Sequence, residues 1–181
     1  MVKSYCFHRR LCCGTIINKT EKAGLVIVDV SDFEPKLELS SIDLAHWLDD
    51  NMIIKEASFR KKLESFNWGA YLNNYVSVTC SKDVIIPPWT YSLIQVKLLN
   101  IAKQVFFTNV ETMRLLVVQK NINEHDFNKY KNKKVFLKIC NNKKLSMGTL
   151  SLCINAFSQN VKSLSFGEPC SNIPLIKNQK K

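Results

Sequence analysis

Hydrophobic residues lie along this chain in short segments with two different periods. Segments rich in β-branched residues, such as YVSVTC at 75–80 and KVFLKIC at 134–140, are typical of buried strands. Apolar residues three or four positions apart, such as Phe59, Leu63 and Phe66, indicate helices instead. From residue 75 onward the two kinds of segment alternate, which predicts a series of βαβ units.

The full pattern predicts six strands and four helices. The strands are expected at 24–30, 36–40, 75–80, 105–108, 134–140 and 162–166. The helices are expected at 56–65, 89–104, 111–122 and 147–160, with a helix or turn at 42–50. Because helices that join parallel strands form right-handed crossovers, we predict an α/β fold. It has a mainly parallel sheet of about four or more strands flanked by helices, with an added N-terminal strand or hairpin.

Composition restricts the class of protein. The chain has 181 residues, of which 46% are hydrophobic, with only 5 Gly and 5 Pro, which excludes a disordered or collagen-like protein. No apolar run approaches the ~18 residues of a membrane helix, and residues 1–14 lack the apolar core of a signal peptide. We predict a cytoplasmic protein without membrane contact: an extension at 1–19, one domain at 20–176 and a basic tail at 177–181.

Seven cysteines are present, an odd number with no CxxC pair, so reduced thiols are expected. Three of them lie at the carboxyl ends of predicted strands or a few residues beyond: Cys80, Cys140 and Cys170. Ligands bind at the carboxyl ends of strands in open parallel sheets. We therefore predict that these thiols converge, with supporting polar side chains from Ser81, Asp83, Glu168 and Ser171.

Three such thiols suit several kinds of chemistry. Thiolates are soft ligands, so zinc, iron or an iron–sulfur cluster could bind, and a thiol could instead accept sulfur. A single cysteine acting as a nucleophile is an alternative. A third interpretation is that the cysteines only fill the core, because cysteine is among the most buried residue types.

The net charge of +11 is unevenly distributed. Residues 127–167 contain eight lysines and no acid. This segment predicts a basic face for an acidic protein partner or RNA, made of Lys129, Lys131, Lys133, Lys134, Lys143 and Lys144. The chain has 22 Lys but only 4 Arg, which disfavours specific nucleic-acid recognition because Arg provides its bidentate contacts. A Lys-, Asn- and Ile-rich composition is also typical of AT-rich genomes.

Standard catalytic motifs are missing from the sequence. It contains neither of the Gly-rich phosphate loops GxGxxG and GxxxxGK[ST], and neither GxSxG nor HExxH. The residues therefore indicate no reaction, and they favour an accessory or binding protein over an enzyme.

Two segments carry a more specific pattern: YVSVTCSKDVIIPPWTYSLI at 75–94 and KSLSFGEPCSNIPLIKNQKK at 162–181. They resemble an uncharacterised bacterial family, common in Bacteroidetes and called domain of unknown function 2480, as do GLVIVDVSDF at 24–33 and SFRKKLESFNWGAY at 58–71. The resemblance covers about residues 20–178. It implies a link to iron–sulfur cluster assembly, with partners among iron–sulfur assembly proteins, which would suit a cysteine-lined site.

Overall fold

A computed structural model describes residues 24–50, 52–139 and 146–177. Seven strands occur in this part of the chain: β1 (Leu25–Asp29), β2 (Leu39–Asp43), β3 (Tyr75–Thr79), β4 (Gln104–Phe106), β5 (Lys134–Lys138), β6 (Ser163–Glu168) and β7 (Ser171–Lys177). The same part contains four α-helices: α1 (Glu56–Ser65), α2 (Pro88–Leu98), α3 (Val110–Asn123) and α4 (Met147–Ser158). A mixed α/β fold dominated by parallel pairing is therefore confirmed.

The strands form two sheets, whereas the sequence predicted one. β2, β3 and β4 form a three-stranded parallel sheet in the order β2-β3-β4. The other sheet has the order β1-β5-β6-β7, in which β7 alone is antiparallel to its neighbour. The expectation of a single sheet was wrong because strand–helix alternation does not specify partners. Here β5 pairs with β1, which is distant in sequence, and not with β4, the strand that precedes it along the chain.

The chain also divides into two compact units. The central unit, 33–125 with 147–152, contains the three-stranded sheet. The terminal unit contains the four-stranded sheet, and its described residues are 24–32, 126–139, 146 and 153–177. Helix α4 contributes its first half to the central unit and its second half to the terminal unit.

The central sheet is covered on both faces. Val76 of β3 is fully buried in one core cluster with Phe59 of α1 and Ile94 of α2. Tyr75, the preceding residue, lies in a different cluster with Met113 of α3. Because successive side chains of a strand point to opposite faces, α1 and α2 cover one face of the sheet and α3 covers the other.

Asp49 fixes the segment that leads into α1. Its carboxylate accepts hydrogen bonds from the Ser58 hydroxyl at 2.8 Å and from the Lys62 ammonium at 3.0 Å. It also accepts one from the backbone amide of Lys55 at 3.1 Å. The Ser58 and Lys62 bonds are the main reasons that the pKa of Asp49 falls from 3.8 to about 2.

The terminal unit has its own core. Val135 and Leu137 of β5 and Leu164 of β6 are buried. Phe157 of α4 is fully buried, and its ring contacts that of Tyr130 edge-on, with 5.0 Å between centroids.

No helix within the described ranges is long and apolar enough to span a bilayer.

Candidate functional site

A hydrogen-bonded cluster of polar residues lies at the carboxyl ends of the strands of the central sheet. Asp43 is the last residue of β2 and is paired in register with Thr79, the last residue of β3. Cys80 and Ser81 follow Thr79 directly. Because β2 and β3 are parallel, these residues share one edge of the sheet, which is the edge where ligands bind in open parallel sheets.

Asp43 organises this edge by accepting hydrogen bonds from two directions. Its carboxylate oxygen Oδ1 accepts from the amide of Ala45 at 2.9 Å, which caps the 3₁₀ helix Leu44–Trp47. The same oxygen accepts from the amide of Ser81 at 3.0 Å. The Ser81 hydroxyl also donates to this carboxylate and, with these amides, holds the pKa of Asp43 below its usual value.

Cys80 packs, half-buried, against the core between the sheet, α1 and α2. Tyr91, in the first turn of α2, packs against the same core cluster. Burial raises the pKa of the Tyr91 hydroxyl, and negative charge on the Cys80 thiol raises it further. The Tyr91 ring also contacts Phe107, which follows β4, with 5.1 Å between ring centroids. The ends of all three central strands therefore supply residues to this edge.

One buried polar group beside Tyr91 has no hydrogen-bond partner among the described residues. Thr90 is fully buried in α2, and its hydroxyl neither donates nor accepts a hydrogen bond there. Buried hydroxyls of this kind destabilise a protein. This one lies in the same helical turn as Tyr91.

Of the other two predicted thiols, the structure describes only Cys170, and Cys170 belongs to the other sheet. Cys170 is exposed in the turn between β6 and β7 of the terminal unit, and Cys140 lies outside the described residues. Cys80 and Cys170 therefore follow strands of different sheets, so the shared edge that predicted their convergence does not exist. Across 24–50, 52–139 and 146–177, no group of three or more His, Cys, Asp or Glu side chains is arranged to hold a metal ion.

The predicted supporting residues divide between the two units. Ser81 binds Asp43 as described, and Asp83 is exposed in the segment between β3 and α2. Glu168 ends β6 and Ser171 begins β7, both exposed in the terminal unit. Of the predicted basic face, four lysines are exposed in the terminal unit: Lys129, Lys131, Lys133 and Lys134. Lys143 and Lys144 lie outside the described residues.

Sequence reasoning missed Asp43 and Phe107 as members of the edge. Asp43 precedes an apolar segment, LAHW, so its capping role was recognisable from the sequence. Its bond to Ser81 was not recognisable, because it depends on the pairing of β2 with β3.

A family model described as Protein of unknown function (DUF2480) matches residues 14–178. The chain belongs to this family. The resemblance expected from the two motif segments is therefore confirmed, and the DUF2480 match includes all the described residues of both units. No curated protein and no solved structure is significantly similar to the chain. The DUF2480 match supplies no activity, so a function has to be proposed from the geometry.

Proposed function

We propose that this protein is a cytoplasmic sulfur-carrying accessory protein in which Cys80 accepts a sulfur atom. The observation that carries the proposal is the half-buried thiol of Cys80 at the ligand-binding edge of a parallel sheet, beside Tyr91. A cytoplasmic location suits this role because thiols stay reduced there.

Acceptance of sulfur needs one thiol, whereas a typical structural zinc site needs four ligands. The described residues provide one thiol at this edge. In the proposed step the Cys80 thiolate attacks the outer sulfur of a persulfide donor. The new S–S bond forms as the donor S–S bond breaks, and the donor leaves as a thiolate. Cys80 then carries the persulfide, with no net oxidation.

The surrounding residues suit a bound persulfide. Cys80 is half-buried against the apolar core of the central unit, which would limit access of water and reductant to its thiol. Asp43 fixes the backbone of Ser81, and so positions the residue next to the nucleophile. The three-thiol site of Cys80, Cys140 and Cys170, with zinc, iron or a cluster, stays a prediction. So does the link to iron–sulfur assembly proteins.

The test is to incubate the reduced full chain with glutathione persulfide, and then to wash it briefly with a mild reductant. We expect intact mass and peptide mapping to find one retained sulfur atom on Cys80. The sulfur should be absent from Cys80→Ser and present in Cys170→Ser. Cys153→Ala is the matched control, because Cys153 is fully buried in the terminal unit.

Two outcomes would contradict the proposal. Retention of sulfur on Cys170 alone would mean that exposure, and not the Cys80 edge, determines reactivity. Stoichiometric zinc or iron in anaerobically purified protein, lost in Cys80→Ser, would make Cys80 a metal ligand instead.

A further inference from the structure

All of the excess positive charge belongs to the terminal unit. The sequence assigned to that unit carries 16 Lys and Arg against 5 Asp and Glu, whereas the central unit carries 10 of each. Because the central unit has no net charge, the positive charge of the terminal unit would attract an acidic binding partner to that unit specifically.

The described lysines of the terminal unit are concentrated at one edge of its sheet. We call this the basic edge, defined as Lys129, Lys131, Lys133, Lys134, Lys162 and Lys177, all of which are exposed. They lie in the segment before β5, just before or at the start of β5 and β6, and at the end of the antiparallel β7.

Strand pairing brings these lysines together although they are distant in sequence. Lys134 is paired with Ser163, and Ser163 is paired with Lys177, so the two lysines share one row across three strands. With strands ~4.8 Å apart, their backbones are about 10 Å apart. Lys133 and Lys162 precede Lys134 and Ser163, and they are also neighbours: the backbone amide of Lys162 donates a hydrogen bond to the backbone carbonyl of Lys133 at 2.9 Å.

The positive charge of the basic edge is largely uncompensated by acidic side chains. Asp29 and Glu168 are the last residues of β1 and β6, at the opposite edge of the sheet. Asp126 is closer in sequence, and its carboxylate accepts a hydrogen bond from the amide of Asn128 at 2.9 Å. No lysine of the basic edge forms an ion pair with a described carboxylate.

We propose that the basic edge binds an acidic segment of a partner protein. Its cations are lysines alone, since the described part of the terminal unit contains no Arg to bind phosphates or bases bidentately. Three of the five aromatic rings in the described part of this unit, those of Tyr130, Phe136 and Phe157, are buried and so cannot stack on bases, and Phe127 and Phe166 are half-buried. A width of about 10 Å matches three residues of an extended chain at ~3.3 Å each.

The test uses a fluorescent peptide of alternating Glu and Gly and a single-stranded RNA of equal charge, with binding followed by anisotropy. In the variant Lys133→Glu, Lys134→Glu, Lys177→Glu we expect at least a tenfold loss of peptide affinity. The matching Lys→Gln variant should show a smaller loss. The control changes three exposed lysines of the central unit to Glu: Lys61, Lys97 and Lys103.

Support requires that the wild type binds the peptide more tightly than the RNA and that the control keeps wild-type affinity. Equal losses in the control and in the basic-edge variant would reduce the effect to net charge and overturn the proposal. Tighter binding of the RNA, or no binding of the peptide at low salt, would also overturn it. The Cys80 variants leave the basic edge intact, so this result is independent of the sulfur-carrying function.

Discussion

The backbone amide of Ser81 donates a hydrogen bond to the carboxylate of Asp43 at 3.0 Å. This bond joins the residues that follow β3 to the end of β2. It also holds Cys80, the residue before Ser81, at the edge of the central sheet. A carboxylate far away in sequence thus determines the position of the proposed sulfur acceptor.

Asp43→Ala should therefore destabilise the central unit. The substitution removes the cap of the 3₁₀ helix and leaves the Ser81 amide without its acceptor, which together should cost about 1–2 kcal/mol. Urea unfolding followed by tryptophan fluorescence reports on this unit, because all three tryptophans lie in it. Glu64→Ala, on the exposed side of α1, is the control and should change stability little. An equal effect of the two variants would contradict a role for Asp43.

Asp49 should make stability depend on acid. Its pKa is about 2 in the folded chain, below its ordinary value of 3.8. The charged carboxylate therefore stabilises the folded state above pH ~4, and this contribution is lost as the pH falls toward 2. The difference in Tm between wild type and Asp49→Asn should shrink over that range.

Asp50→Asn is the matched control for Asp49. Asp50 is exposed, and its φ of 52° is one that Asn tolerates. This variant should show no comparable acid dependence. A difference in Tm for Asp49→Asn that stays constant down to pH 2 would rule out the proposed contribution of its ionisation.

Titration of the Tyr91 hydroxyl tests whether charge on Cys80 influences it. Burial first, and then charge on Cys80, raise its pKa above 10. In Cys80→Ser the second cause is removed, so the Tyr91 hydroxyl should ionise at a lower pH than in the wild type. Ultraviolet titration of tyrosinate would measure this shift, and subtraction of the Tyr91→Phe curve would isolate the one residue. An unchanged titration would place the Cys80 charge too far away to matter.

Thr90→Val should stabilise the central unit. The valine has nearly the same shape and removes a buried hydroxyl that has no described partner, so a gain of about 1 kcal/mol is expected. Ser77→Ala is the contrasting change, because the buried Ser77 hydroxyl donates to the Thr108 carbonyl at 2.6 Å. That variant should lower stability. A loss of stability in Thr90→Val would show that the Thr90 hydroxyl forms a stabilising hydrogen bond.

Gly167→Ala should destabilise the β6–β7 hairpin. Gly167 has a φ of 102°, and a Cβ there would lie 2.7 Å from the carbonyl oxygen of Ser171. Gly24→Ala is the control, since Gly24 also has a positive φ, 64°, but open space around it. Urea unfolding followed by circular dichroism should show a larger loss for Gly167→Ala, beyond the ~1–2 kcal/mol expected for the conformation alone. Equal losses would mean that the hairpin relaxes around the added methyl group.

Local structure was largely readable from the sequence. The helix predicted at 56–65 is observed with the same bounds, and the strands at 75–80 and 134–140 differ only by ending one or two residues earlier. The helix has a strong period because one face of it is buried. The strands β3 and β5 are short runs of consecutive buried residues rich in β-branched side chains, which is a strand signal of its own. The second helix ends at Leu98 and not at residue 104, although its apolar pattern continues beyond Leu98.

Pairing and the last strand were not readable. β7 was missed because most of its side chains are exposed, so it lacks the alternation of a half-buried strand. Cys80 was correctly placed at a strand end. Its neighbour Asp43 depends on which strand lies beside β3, and hydrophobic periodicity carries no information about that choice.

The pairing of β1 with β5 has a consequence for synthesis on the ribosome. Leu25 is paired with Lys134, so β1 leaves the exit tunnel long before its partner exists. The contiguous stretch 33–125 can meanwhile complete nearly all of the central unit. We therefore expect the middle of the chain to fold first during translation, while β1, although synthesised earlier, stays unpaired until β5 has been made. Chaperones would then meet an exposed strand at the older end of the nascent chain.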